Sequence, residues 1–291
     1  MVKKETKDRL QKIGGLTYVW ALLLLMYAPI IVLVIFSFTD SPKLGTWNGF
    51  TFHLYRDLFV DKKVQIAIGN TLIIALISAV TATFLGTIGA IGTFECKKKI
   101  KRGIEFTTQI PVVNPEIVIA LSLTIMFVFV GTYIFKDMQF SFWTLLIGHL
   151  VLTTPFVYLS VKPKLLQMDP ALYEAALDCG CTPHQALLKA VLPEIMPGVW
   201  SGFLLSITLS LDDFIVTAFT TGPGLLSGQG KIETISTYVE SIIKKKPLPA
   251  KMRALCTIIF LIVLLVVIAY SVYQSRKGKN VDKHAERRAK L

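Results

Sequence analysis

Six stretches of this chain are long and apolar enough to cross a lipid bilayer: residues 16–38, 66–92, 113–135, 142–161, 198–221 and 253–274. A hydrocarbon core about 30 Å thick takes about 20 residues of helix, and each run meets that length within a few residues. Composition agrees. With 53% hydrophobic and 17% charged residues and a mean hydropathy of +0.59, a soluble globular reading is excluded, and an all-α polytopic integral membrane protein with six transmembrane helices is expected.

An even number of spans puts both ends on one side, and the basic residues say which. With the tails inside, 20 of the 31 Lys and Arg fall in cytoplasmic segments and 10 in external ones, with Arg253 at a boundary. The cluster Lys97, Lys98, Lys99, Lys101 and Arg102 and both tails, 1–15 and 274–291, support this orientation, whereas Lys244, Lys245 and Lys246 oppose it. A formal charge of +12 raises the question of nucleic acid, but the basic residues flank apolar runs and do not interleave with aromatics. Lipid headgroups and topology explain them, and no nucleic-acid partner is expected. The first run is too long for a signal peptide and has no small-residue cleavage site after it, so it is read as a retained span.

Several residues invite a chemical reading. Cys179 and Cys181 are two apart with no second pair and no nearby His pair, so zinc is not expected, and all four cysteines are read as bystanders. The segment Gly222–Lys231 lacks the glycine spacing and the Ser or Thr of a phosphate loop, since Leu225 and Ile232 occupy those positions. The chain is therefore expected to bind no cofactor and hydrolyse no ATP. Span two carries Gly69, Gly86, Gly89 and Gly92, which predicts close packing against protein. Asn114-Pro115-Glu116 reads as cap, first position and first-turn carboxylate of span three, and His149 as a packed, neutral imidazole.

Between spans four and five lies a polar island, Asp169–Pro197. Asp169 and Pro170 predict the start of a short helix over 170–178, and Gly180 its end. Thr182 and Pro183 predict a second helix to about Leu192, closed by Pro193. Two short helices meeting at a glycine make a compact knob, a shape that docks into a groove on a partner.

Span five holds Asp212 and Asp213. Ionised carboxylates at the bilayer centre cost on the order of 3 kcal/mol each and face the protein interior or water. A helical wheel places Asp213 on a stripe with Gly202, Ser206, Ser210, Thr217 and Thr220, and Asp212 on the other flank with Ser201 and Thr208. Such a helix lines a polar path or joins an internal hydrogen-bond network; the scarcity of cations in the other spans favours the path. Asp212, Asp213 and Ser210 are then candidates for contact with a cationic substrate, with Trp200 or Tyr158 adding cation–π attraction.

The island resembles the cytoplasmic loop of ABC importer permease subunits, which carries EAA, three residues, G, then a gap to LP: here Glu174, Ala175, Ala176, Gly180, Leu192 and Pro193. The family usually has Ile where this chain has Ala190. The segments LSLDDFIVTAFTTGPG, NPEIVIALSL and KIETISTYV are similar to spermidine/putrescine importer permeases, the second of their two permease subunits, over about residues 15–273. The resemblance implies a type I ABC importer permease fold, with a first span at 16–38 and a core over 66–273. It also implies a second permease, two ATP-binding subunits and an external substrate-binding protein as partners, and alternating access driven by the ATPases through the six coupling residues. The alternatives are a permease of this class for an iron complex, an anion or a sugar, or a six-span sensor or enzyme. The last lacks support, as neither HExxH nor GxSxG occurs.

Overall fold

The computed structural model describes residues 2–41, 45–134, 139–222, 232–243, 250–265 and 268. Positions 223–231, Lys244–Lys246 and the 274–291 tail lie outside the described residues. The helices are α1 Val2–Phe36, α2 His53–Val60, α3 Lys62–Glu95, α4 Lys98–Val113, α5 Glu116–Tyr133, α6 Phe142–Gln167, α7 Ala171–Asp178, α8 Pro183–Asp212, α9 Ile215–Thr220, α10 Ile235–Ile243 and α11, 250–265. No strand occurs among the described residues. Among the described residues, five helices are long and apolar enough to span a membrane, over 14–36, 62–94, 116–133, 142–167 and 183–212. The sixth expected span, 253–274, is helical over its described part.

The chain divides into two units. One holds residues 1–62 and 242–291. Its organising side chain is Arg253, buried, which donates to the carbonyls of Phe36, at 3.2 Å, and of Ser41. A helix leaves its last carbonyls without partners, and here a guanidinium from α11 takes one at the end of α1. Phe38 stacks on Phe50 at 5.2 Å and meets Phe52 and Tyr55 edge-on or tilted.

The other unit, 63–241, is built around α6, whose buried residues run from Phe142 to Leu165. Helix α8 packs along it with almost no gap. A Cβ on Gly198 would lie 2.9 Å from the Ser160 carbonyl oxygen, and one on Gly202 would lie 3.1 Å from Val157 Cα. In lipid, where helices gain little from the hydrophobic effect, such backbone approach supplies the attraction. In span two the expectation holds for Gly86, whose Cβ would meet Val157 at 2.8 Å, but Gly69 and Gly92 have open space beside them. On the other flank of α6, Ala120 of α5, Leu152 and Val216 of α9 form one cluster.

Two expectations are corrected. The 113–135 run begins as a helix at Glu116: Asn114 is extended, as a residue before proline prefers, and Pro115 rather than Asn114 occupies the cap position. Residues 98–113 form a separate helix with no buried residue, and its Glu105 pairs with Lys162 of α6 at 2.8 Å. The basic cluster 97–102 therefore shares an end of the bundle with the end of α6. Last, the 198–221 run is two helices, with Asp213 and Phe214 between them.

Candidate functional site

The polar island folds as a knob joining α6 to α8. Asp169 accepts the backbone N–H of Ala171 at 2.9 Å, opening α7, and Gly180 takes a φ of +84° that an L side chain rarely adopts. Thr182 and Gln185 form a reciprocal capping box: the Thr182 hydroxyl accepts from Gln185 N–H and the Gln185 amide oxygen accepts from Thr182 N–H. Pro193 does not close the helix, contrary to expectation. Its ring crowds the carbonyl four residues back and it offers no N–H. A π segment at Leu187–Val191 absorbs the mismatch, with the Leu192 N–H reaching the Leu187 carbonyl, and α8 runs on to Asp212. The knob's second helix and the fifth span are thus one continuous helix.

Inside the knob, Tyr173, Leu187 and Leu192 pack on a cluster of Val161, Leu165, Met168, Val191 and Ile195. Outside it, Glu174, Ala175, Gly180 and Pro193 are exposed, Ala176 half-buried, and Leu172 and Leu188 add 38% and 54% exposed apolar side chains. A rigid, capped surface that leaves leucines in the open fits a groove on another chain.

The aspartates separate at the break. Asp213 is buried and caps α9: its Oδ1 accepts from Val216 N–H at 3.2 Å, and its Oδ2 accepts from the Thr217 N–H and hydroxyl, both at 2.8 Å. Ser210 is buried too, with its Oγ 2.9 Å from His149 Nδ1. The expected stripe of Gly202, Ser206, Ser210, Asp213, Thr217 and Thr220 is buried along its whole length. It meets protein within the chain, so the open face belongs to Asp212, which is exposed.

Glu116, at the start of α5, is exposed as well and lies within electrostatic reach of Asp213 and Asp212. The sequence reading treats Glu116 only as a helix-start acid. Nothing in the chain order announces that α5 begins beside the break in α8, although an acid at the first turn of a span was the available signal. Trp200 is 58% exposed but stands twelve residues from Asp212, about 18 Å along α8, so the two do not flank one point. Tyr158 is buried against Ala82 and Ala90 and is no path aromatic. Of the four cysteines, Cys179 is exposed and the others half-buried, all with free thiols.

A bundle of membrane-length helices carries a capped knob and, inside one span, a break bearing a carboxylate. The model of the binding-protein-dependent transport system inner membrane component family matches residues 82–278, and the chain belongs to that family. It is 33% identical over 271 residues to the spermidine/putrescine transport system permease protein PotC of Escherichia coli (strain K12), covering 93% of this chain and 96% of that one. It is 34% identical over 200 residues to the putrescine transport system permease protein PotI of the same strain, covering 68% and 71%. Among solved structures, a bacterial ABC transporter for import of the acidic polysaccharide alginate superposes with a TM-score of 0.72 at 18% identity, covering 94% of this chain and 98% of that one. That likeness establishes the type I importer permease fold.

Proposed function

We infer that this chain is a permease subunit of an ATP-driven importer and forms half of a membrane path for polyamines, of the spermidine and putrescine class. The carrying observation is that two exposed carboxylates, Glu116 and Asp212, lie within electrostatic reach of each other at the break in the fifth span. A cation passing there meets charge that the hydrocarbon would otherwise penalise, and such carboxylates mark ion and substrate pathways. The relatives PotC and PotI are named for polyamine transport, which agrees in sign of charge. An acidic cargo such as the alginate of the structural neighbour is disfavoured beside the same groups.

The cycle runs through partners. ATP is bound and hydrolysed by two separate subunits that seat the knob at Glu174, Ala175, Ala176, Gly180, Leu192 and Pro193. A second permease completes the path, and an external binding protein delivers substrate. Because the knob's second helix and the fifth span are one continuous helix, closure of the ATPases tilts α8 and moves its far end at Asp212, opening the path alternately outward and inward. The 66–273 core carries this motion, 16–38 is an added span, and the tails 1–15 and 274–291 are cytoplasmic beside the basic cluster 97–102.

Uptake of labelled spermidine into proteoliposomes holding the assembled transporter tests the reading. Asp212→Asn and Glu116→Gln are expected to raise the half-saturating concentration severalfold at unchanged assembly. Competition by an anion or sugar, and none by putrescine, overturns the polyamine assignment.

A further inference from the structure

His149 hydrogen-bonds to both sides of the break in the fifth span. Its Nδ1 lies 2.9 Å from Ser210 Oγ on α8, before the break, and its Nε2 lies 3.0 Å from Thr217 Oγ1 on α9, after it. The ring is fully buried, two turns into α6. Its carboxylate neighbour, Asp213 Oδ2, is 3.7 Å away, beyond a direct hydrogen bond.

With the Thr217 hydroxyl donating to Asp213, donor counting assigns the directions of these bonds. The Thr217 hydroxyl has one proton and gives it to Asp213 Oδ2 at 2.8 Å, so towards His149 it accepts. Nε2 therefore carries the ring proton, and Nδ1 is left as the acceptor for the Ser210 hydroxyl. Ser210 in turn accepts from Ser78 of α3 at 3.0 Å. One chain of hydrogen bonds runs Ser78, Ser210, His149, Thr217, Asp213, and it crosses four helices. Removing the imidazole takes a partner from both Ser210 and Thr217, which is costly where no water competes.

We propose that His149 is a positioning residue for transport: a clip that sets the angle between α8 and α9, so that movement of the knob reaches the path as motion of a defined joint rather than being lost in it. Asp213 joins the two half-helices at the break itself, and the imidazole joins them a turn away on each side, through Ser210 and Thr217. The short α9 has six residues, too few to be stable alone, so its orientation comes from its surroundings: the Asp213 cap, the packing of Val216, the Thr124 and Thr144 hydroxyls that donate to the Phe219 and Thr220 carbonyls, and this clip. The role rests on the importer reading above, but the joint itself can be examined apart from transport.

The test uses the assembled transporter in proteoliposomes with His149→Leu, His149→Asn and His149→Gln. Asn places its amide where Nδ1 stood and keeps only the Ser210 side; Gln reaches towards Thr217 and keeps only that side; Leu keeps neither. Hydrogen–deuterium exchange over 213–220 reads the joint. The clip predicts exchange at least tenfold faster in His149→Leu and intermediate in the other two, with polyamine moved per ATP hydrolysed falling at least fivefold in the leucine variant. Unchanged exchange overturns the clip whatever transport does. Faster exchange with unchanged stoichiometry overturns its part in transport, as does a loss of assembled complex with normal uptake per complex. If the unaltered transporter moves no polyamine, the importer reading fails, and the exchange arm still decides the joint.

Discussion

The two polar regions of this chain are built on opposite plans. Around Asp213 the polar side chains are buried and answer one another, so the network closes on itself with Ser210, His149 and Thr217. In the knob the backbone is held by local caps, at Asp169 and Thr182, while the outward side chains of Leu172, Glu174 and Leu188 are left without a cover. The difference separates geometry that must be kept within the chain from surface that another chain completes. It also separates the two aspartates: Asp213 belongs to the first plan, and Asp212 faces out.

Substitutions can break this contrast, and the largest effect belongs in the packed interior. Gly198→Leu forces side-chain atoms against the Ser160 carbonyl oxygen and should cost about 3 kcal/mol, read as loss of assembled complex and a lowered Tm. Asp213→Ala should follow at about 2 kcal/mol, because the Val216 and Thr217 N–H groups and the Thr217 hydroxyl lose their acceptor in a dry site. A normal Tm for that variant, with lowered polyamine affinity, would put Asp213 on the path after all.

In the knob the same kind of change should spare the fold. Glu174→Lys is expected to lower uptake about tenfold, equivalent to about 1.4 kcal/mol, with Tm unchanged, since its side chain is exposed. Thr182→Ala should give the smallest effect: about 1 kcal/mol of local helix stability from the lost cap, seen as faster amide exchange near Gln185. If Glu174→Lys unfolded the chain, the separation of the two regions would not stand.

Much of this was legible in the chain itself. Apolar runs of membrane length set the helical class, because lipid leaves the backbone no other partner. Local chemistry placed the knob's first helix and the cap at Thr182. The burial of His149 as a packed group was legible too, since an imidazole at that depth needs partners. What failed were points where a local stop signal met a larger structure. Pro193 reads as a helix end, yet the packing of Val191 and Ile195 carries the helix through it with a π segment. The run at 198–221 reads as continuous, yet the Asp213 carboxylate starts a new helix inside it.

The sequence alone thus determined that this protein is a helical membrane bundle with a capped knob and paired acids in a span, because hydrophobic length and capping act between near neighbours in the chain. Tertiary structure alone decided which aspartate is buried, that Glu116 stands beside them, and that one histidine bridges the break. Those facts depend on how α3, α5, α6 and α8 meet, and the same apolar residues would satisfy lipid in many arrangements; only close backbone contact and a fully paired polar chain choose among them.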